Sequence, residues 1–353
     1  MPASTITGSL STNRLLFTTN QNQTNTTLLS NQISGASTTD GGATTIVGAD
    51  SATSAFSISS GLDGLYFVSG INSVGGAISI EGGSNTLIGG HIGAPAGLAG
   101  NWTITTSGGQ TIMTLGTGSD TVLTGGSDTV HAGGTNVLIQ VAPDNPHGPV
   151  VDATSGFVTF IGGASGGAQI GTGAGGGIIQ LGSGGGSTAR AGNGNTTLIG
   201  GGGGDTLYAN TVTGAAGTAL FATGNDTLIG GGRGADTFYG YSSISGNGNA
   251  LVNVSAAQSG QVVWFGGGND TVRLDTGSAD SVVASASHTD GDGKDLLIGW
   301  RASDILYLDG YSAEPTFSHT AAGLQATLSD GTSITFAGAT NQSAIQIVFG
   351  KPG

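Results

Sequence analysis

Aspartates that follow glycine-rich turns are the residues of this chain best suited to chemistry. The clearest copy runs from Gly231 to Phe238 and fits the pattern G-G-x-G-x-D-x-U, in which U is a large apolar residue and Asp236 is the acid. Glycine permits the positive φ angles of a tight turn, which brings backbone carbonyls together. Asp adds a carboxylate oxygen, the hard ligand that calcium prefers. The pattern therefore predicts a turn that binds calcium.

The same ending recurs along the chain. Successive Asp residues lie 8 residues apart at 120 and 128, 9 apart at 295 and 304, and 10 apart at 226 and 236. Asp290 and Asp292 lie inside one turn, so they are interpreted as extra calcium ligands or as surface charge rather than as an acid–base pair. The predicted calcium ligands are Asp120, Asp128, Asp205, Asp226, Asp236, Asp270, Asp280, Asp290, Asp292, Asp295 and Asp304, with the turn residues Gly118, Gly203, Gly234, Gly268 and Gly293.

The element that must position these residues is a short strand. In the D-x-U ending, polar and apolar residues alternate, as they do in a strand with one buried face. A tight turn followed by such a strand makes half a coil of a parallel β-solenoid. Short alternating runs also recur before residue 110, for example at 65–68 and 77–80, and no useful helical periodicity appears. The sequence therefore predicts an all-β solenoid.

These repeats resemble the nonapeptide repeats of RTX proteins, the calcium-binding β-roll family. The resemblance implies a right-handed parallel β-solenoid that binds several calcium ions, each shared between one turn and the turn one coil later. On that basis Asp205 is expected to pair with Asp226, and Asp280 with Asp295 or Asp304. A simpler interpretation is that each Asp only caps its own turn, as Asp often does. The number of copies favours calcium over that interpretation.

Composition limits the classes of function. Of 353 residues, 71 are Gly and none is Cys, so neither disulfides nor thiolate metal sites stabilise the fold. The net charge is −14 and the seven Lys and Arg residues are scattered, which argues against nucleic acid and anionic lipid as partners. No run is long enough for a membrane span. The N-terminus lacks signal-peptide features and alone predicts a cytoplasmic protein. The RTX resemblance instead implies type I secretion, with an uncleaved C-terminal signal, to the cell surface or beyond.

Three regions are predicted along the chain. Residues 1–110 form a Thr/Ser/Asn-rich β region, which is an arm followed by a solenoid or a sandwich. Residues 111–310 form the calcium-binding roll, with insertions near 142–155 and 241–261. Residues 311–353 form a C-terminal β cap with the secretion signal, and Asp330-Gly331 marks a hairpin turn within it. The cap is expected to cover the edge of the last coil.

Signals of other chemistry are weak. Residues 163–167 match G-x-S-x-G and residues 171–176 match G-x-G-x-x-G, but such matches arise by chance in a glycine-rich chain, and neither has the helix that its motif requires. The His residues show no metal-ligand spacing. Trp102, Trp264 and Trp300 are too dispersed for a carbohydrate platform and are predicted to lie in the core or the cap.

The predicted function is therefore non-enzymatic. We expect a secreted calcium-binding structural protein that self-assembles as an S-layer, a filament or a matrix component, with itself as the main partner and cell-surface polysaccharide as a further candidate. Two alternatives stay open. Residues 1–110 could act on a polysaccharide as a solenoid enzyme, which would need clustered ionisable residues. The chain could also be an adhesin or ice-binding module, which would need regular T-x-T rows.

Overall fold

The structure is a computed structural model of the chain. It describes residues 4–7, 14–17, 44–47, 56–60, 65–68, 75–80, 83–91, 94–96, 98, 100–116, 118–210, 218–223, 225–230, 236–240, 249–254, 260–274, 277–287 and 292–352. Within these ranges the regular elements are short strands and one 3-10 helix, η1 (Gln342–Ala344).

The strands are three to eight residues long. They are β1 (Ser4–Thr7), β2 (Arg14–Phe17), β3 (Thr44–Val47), β4 (Phe56–Ser60), β5 (Leu65–Val68), β6 (Gly75–Ile80), β7 (Ser84–His91), β8 (Ala94–Ala96), β9 (Asn101–Thr106), β10 (Gln110–Leu115), β11 (Ser119–Thr124), β12 (Thr129–Ala132), β13 (Asn136–Val141), β14 (Val150–Ala153), β15 (Phe157–Ile161), β16 (Gln169–Gly171), β17 (Gly177–Gln180), β18 (Thr188–Arg190), β19 (Thr196–Ile199), β20 (Thr206–Tyr208), β21 (Thr218–Phe221), β22 (Thr227–Ile229), β23 (Thr237–Tyr239), β24 (Leu251–Asn253), β25 (Val262–Trp264), β26 (Thr271–Arg273), β27 (Ser281–Ser285), β28 (Lys294–Ile298), β29 (Ile305–Asp309), β30 (Thr316–Thr320), β31 (Gly323–Thr327), β32 (Ser333–Ala337) and β33 (Gln346–Phe349).

The chain divides into two compact units, residues 1–176 and 177–353. In the first unit, sheet A has the parallel order β1-β4-β6-β9-β11-β13-β15. Sheet B has the parallel order β2-β3-β5-β7-β10-β12-β14-β16. The backbone thus passes repeatedly from one sheet to the other, which is the winding of a β-solenoid. The short β8 departs from this pattern and pairs antiparallel with β7.

The second unit repeats the same architecture. Its sheet A has the parallel order β17-β19-β21-β23-β25-β27-β29-β33. Its sheet B runs in parallel through β18-β20-β22-β24-β26-β28-β32. The chain then continues sheet B with the antiparallel strands β31 and β30. The predicted all-β parallel solenoid is therefore confirmed.

The core is built from the large apolar residue of each D-x-U ending. In sheet B of the second unit these residues stand in register and are at most 1% exposed: Leu207, Leu228, Val252, Val272 and Leu297. Burying one such side chain stabilises the fold by about 1.5–3 kcal/mol. A strand of three residues buries only one of them in this way, so each coil holds little apolar core of its own.

The C-terminal cap contains the predicted hairpin. Strands β31 and β32 pair antiparallel, and the turn between them is closed by Leu328 N–H donating to the Thr332 carbonyl, with Gly331 at a φ of 93°. Trp300 packs edge-on against Phe336 of this hairpin, with ring centroids 4.9 Å apart. The cap extends sheet B through the hairpin and sheet A through β33. Sheet A of this unit ends at β33, where Phe349 is 42% exposed.

The boundaries of the units differ from the regions drawn from composition. Contacts divide the chain after residue 176, rather than near 110 or 310. The stretch near 142–155 contains a loop at 142–149, but β14 then follows in register with β12. The stretch 241–261 likewise includes β24, which pairs with β22 and β26. Among the described residues, no helix has the length and apolar character needed to cross a membrane.

Candidate functional site

The repeat aspartates lie inside the solenoid. Apart from Asp292, each stands immediately before, or at the start of, a strand, and the alternation of the strand places its side chain on the inward face together with the large apolar residue two positions later. All of those described are at most 2% exposed: Asp120, Asp128, Asp205, Asp226, Asp236, Asp270, Asp280, Asp292, Asp295 and Asp304. A buried carboxylate is unfavourable unless it is hydrogen-bonded or neutralised. The arrangement of hydrogen bonds around these groups therefore decides what they do.

Along sheet B of the second unit, carboxylates join one coil to the next. Asp295 Oδ1 accepts the backbone N–H of Asp270 at 2.9 Å, and Asp270 Oδ1 accepts that of Ala250 at 2.8 Å. Asp226 Oδ1 accepts the N–H of Asp205 at 3.0 Å. Each of these carboxylates thus accepts a hydrogen bond from the residue at the equivalent position one coil earlier. The structure therefore brings together the predicted pair Asp205 and Asp226.

Sheet A of the second unit carries a matching series. Asp304 Oδ1 accepts the N–H of Asp280 at 3.1 Å, and Asp280 Oδ1 accepts that of Gln261 at 2.9 Å. The Gln261 side chain then accepts the N–H of Asp236 at 3.0 Å. Asp280 is therefore joined to Asp304, one of its two predicted partners. Gln261 is fully buried and takes the place of an Asp. The stretch Gln261-Val262-Val263 keeps the polar–apolar alternation of a D-x-U ending, and this alternation could have identified it.

The hydrogen bonds of the carboxylates form a ladder along each sheet. A second ladder of hydrogen bonds runs beside it on the exposed side of the turns. The side-chain oxygens of Asn225, Asn249 and Asn269 accept backbone N–H groups one coil later, from Asn249, Asn269 and Lys294 respectively, at 2.8–2.9 Å. Stacked amides of this kind hold successive strands in register. These asparagines were not among the predicted site residues, although Gly-Asn-Asp recurs at 224–226 and 268–270.

The second carboxylate oxygen divides the aspartates into two groups. In Asp205, Asp226, Asp270 and Asp304 it accepts an N–H from the same turn, at 2.7–3.0 Å. We call these the closed carboxylates, and Asp304 also forms an ion pair with Arg301 at 3.3 Å.

In three other aspartates the second oxygen, Oδ2, is buried and has no hydrogen-bond partner within the described part of the chain. These are Asp120, Asp236 and Asp295, which we call the open carboxylates. Their first oxygens accept the N–H groups of Trp102, Thr218 and Asp270. An unsatisfied buried oxygen of this kind costs free energy, so these positions are the best suited to receive a cation.

Burial alters the acidity of the open carboxylates. Loss of hydration raises the pKa of Asp120 and of Asp236 to about 6, against the hydrogen bonds that lower it. The pKa of Asp295 rises to about 10, chiefly because of burial and then because of the nearby charges of Asp270 and Asp292. At neutral pH these groups carry their charge only at a cost, unless a positive charge stands beside them.

The turn before Asp120 brings several oxygens to one point. The carbonyls of Gly116 and Gly118 lie 3.1 and 2.8 Å from the place where a Cβ on Gly134 would stand, and the open oxygen of Asp120 lies 3.2 Å from it. Carbonyl and carboxylate oxygens are the ligands of calcium. These residues therefore fit a calcium ion.

Glycines elsewhere make room for carboxylates. A Cβ on Gly200 would overlap Oδ2 of Asp226, and a Cβ on Gly240 would overlap Oδ2 of Asp270. A side chain at either glycine would therefore displace the buried acid. The glycines that follow strands are thus required by the ladder itself, whether or not the turns bind a metal.

The remaining predicted ligands are placed as follows. Asp128 accepts the hydroxyl of Thr106 at 2.5 Å and the N–H of Thr111 at 2.9 Å, and Asp292 accepts the N–H of Ser285 at 2.8 Å. Gly268 and Gly293 pair across neighbouring coils, whereas Gly203 is exposed in its turn. Asp290 and Gly234 lie outside the described residues. No three acidic, His or Cys side chains of the described residues form a metal cluster, so any site here depends on backbone carbonyls joined by one or two carboxylates.

One other prediction needs correction. Trp102 is buried in the core and Trp300 contacts the cap, but Trp264 lies half-buried on the outer face of β25, where it stacks with Tyr239. The weak nucleophile-elbow match is followed by strands rather than a helix, and the buried hydroxyl of Ser165 has no hydrogen-bond partner in the described part of the chain.

The chain matches no protein-family model, no curated protein and no solved structure.

Proposed function

We propose that this chain is a calcium-binding β-solenoid of the RTX type, and that it serves as a structural protein that self-assembles outside the bacterial cell. The observation that carries the proposal is the set of open carboxylates. Each is buried, has a raised pKa, and has one oxygen without a hydrogen-bond partner in the described part of the chain. A divalent cation would satisfy that oxygen and remove the cost of its charge.

The turn at Asp120 offers the most complete set of ligands. The carbonyls of Gly116 and Gly118 and the open oxygen of Asp120 would hold one side of a calcium ion, which needs six to eight oxygens. The ion would supply charge neutralisation and a link within the turn. Calcium suits this site better than magnesium, because magnesium demands a near-ideal octahedron and keeps its waters.

Calcium at the turns would couple metal binding to folding. Each short strand buries little apolar surface, and the buried acids repel one another without a counter-charge. The free energy of binding the ion then becomes free energy of folding. A protein of this kind would fold fully only where calcium is plentiful, which supports a location outside the cell and a type I route of secretion.

A structural role fits the rest of the described surface. Stacked coils form long parallel sheets that end in strands with free edges, such as β33, and free edges are templates for other chains. The net charge of −14 would keep copies apart until calcium reduces it. We therefore favour self-association, with cell-surface polysaccharide as a further candidate partner.

Circular dichroism with chelator, calcium or magnesium tests the proposal. In chelator we expect loss of β signal, which calcium restores and magnesium restores poorly. Identical spectra with and without calcium would argue that the hydrogen-bonded ladders alone hold the solenoid, and would remove the calcium proposal.

A further inference from the structure

One outer face of the second unit carries a continuous column of apolar and aromatic side chains. The column occupies outward positions of sheet A that pair in register from strand to strand: Ile199, Phe221, Tyr239, Trp264, Val283, Tyr307 and Val348. We call it the aromatic stripe. Val283 is buried, Val348 is 36% exposed and the others are half-buried. Seven strands spaced about 4.8 Å apart make the stripe about 29 Å long.

Neither this column nor the neighbouring outward column contains a charged residue. The neighbouring outward column of the same strands consists of Thr197, Ala219, Thr237, Val262, Ser281, Ile305 and Gln346. The nearest outward acid of these strands, Asp309, lies one step further along β29. The outer face of sheet B differs, because its corresponding column contains Arg190 and Arg273. In an acidic chain, sheet A thus presents one face that two copies can bring together without charge repulsion.

The geometry of the rings indicates what can lie against them. Phe221 and Tyr239 stack with centroids 4.3 Å apart and an interplanar angle of 1°, and Tyr239 and Trp264 stack at 6.0 Å and 20°. Their faces are therefore turned toward one another along the stripe, and their edges point outward. A sugar ring packs on the face of an aromatic ring, so this arrangement disfavours a polysaccharide. Ring edges instead suit interdigitation with the side chains of another protein surface.

We infer that the aromatic stripe is a lateral contact between two copies of this chain. A straight, uncharged stripe can pack against itself about a two-fold axis, which is the commonest form of association between identical chains. With two columns about 12 Å wide, the contact would cover on the order of 350 Å² per partner, well below the roughly 800 Å² of a standard interface. The contact is therefore weak and acts where copies are concentrated. Its biological meaning rests on the self-assembly proposed above.

Sedimentation equilibrium over micromolar to millimolar full-length protein tests this inference. We expect the mass of the wild type to rise with concentration, and Trp264→Glu or Tyr239→Glu to raise the dissociation constant at least tenfold. Thr237→Glu, which adds a charge in the neighbouring column without removing a ring, should weaken association as well. Ile229→Glu places the same charge on the outer face of sheet B and should have no effect. Circular dichroism of each variant checks that the solenoid has formed.

The outcomes separate the stripe from the calcium proposal. A wild type whose mass stays that of one chain up to millimolar concentration would overturn the stripe, as would equal weakening by Ile229→Glu. Binding to insoluble cellulose or chitin that Trp264→Glu abolishes, with no change in mass, would assign the face to a glycan instead. Calcium bound by the same samples is counted in parallel. Absence of bound calcium would contradict the proposed function, whereas the association result decides the stripe in either case.

Discussion

Asp236→Asn distinguishes a carboxylate that holds calcium from one that only accepts hydrogen bonds. Asn keeps the Oδ1 that accepts the N–H of Thr218 at 2.9 Å, and it removes the charge from the open oxygen. Without metal, the folded pKa of Asp236 is about 6, compared with 3.8 for an ordinary Asp. The difference of about 2 between these pKa values corresponds to about 3 kcal/mol of free energy of unfolding.

The sign of this contribution follows from the raised pKa. The folded chain binds this proton more tightly than the unfolded chain, so the contribution of Asp236 to the stability of the metal-free protein is fully present below about pH 4 and is lost as the pH rises to about 6. At about pH 8 in chelator, Asp236→Asn should therefore be more stable than the wild type by about 1–3 kcal/mol, the lower value allowing for an amide N–H that lacks an acceptor. In calcium the order should reverse, because the variant has lost a ligand.

Urea denaturation followed by circular dichroism, in chelator and in calcium, measures both effects. Asp205→Asn is the matched control, because both oxygens of this closed carboxylate accept N–H groups, from Ser187 and Gly201. Burial raises the pKa of Asp205 as well, so relief of its charge offsets part of the lost hydrogen bond from Gly201. The change in stability should therefore be the same in the two buffers. If Asp236→Asn stabilised the chain equally in both buffers, the open carboxylate would not hold calcium and the reasoning would be refuted.

Three further predictions follow from the ladders and the turns. Gly240→Ala should lower the free energy of unfolding by about 1–3 kcal/mol, because its methyl group would overlap the Asp270 carboxylate. Gly171→Ala is the control and should be nearly neutral, because its Cβ would meet nothing closer than 3.8 Å. Equal effects of the two substitutions in thermal denaturation would contradict this prediction. The melting temperature of the wild type in chelator should fall between about pH 4 and pH 6, where Asp120 and Asp236 lose their protons, and fall further toward about pH 10, where Asp295 does, with a smaller change in calcium. A rise between about pH 4 and pH 6 in chelator would count against the raised pKa values of Asp120 and Asp236. A chain that lacks residues 1–40 should scatter less light in millimolar calcium than the full chain, and equal scattering would show that this region takes no part in self-association.

Most of the fold could be predicted from the sequence. Glycine-rich turns followed by D-x-U endings predict stacked strands because a strand that buries every second residue needs Asp and the large apolar residue on the same face. That reasoning also predicted the cap, since Asp330-Gly331 between alternating runs requires a hairpin. It did not find the coils at Ala250 and Gln261, because their turns lack the aspartate at the expected position. Register with neighbouring strands, which only the assembled sheet provides, identifies these coils.

The site was less accessible to sequence reasoning. Spacing identifies Asp205 and Asp236 as equivalent, yet one carboxylate is closed by Gly201 and the other is left open. The repeat pattern does not specify which carboxylates receive a second hydrogen bond. The aromatic stripe was missed for a related reason: Phe221, Tyr239 and Trp264 are separated by 18 and 25 residues along the chain, and only strand pairing makes them neighbours.

The number of calcium ions bound per chain tests the central claim most directly. Equilibrium dialysis of the wild type, Asp120→Asn and Asp144→Asn, with the metal counted by atomic spectroscopy, gives this number. Asp120 is an open carboxylate, whereas Asp144 is exposed in the loop at 142–149. We predict several ions on the wild type, fewer on Asp120→Asn, and the wild-type number on Asp144→Asn. A wild type that binds no calcium, or a loss that is equal in both variants, would contradict the account.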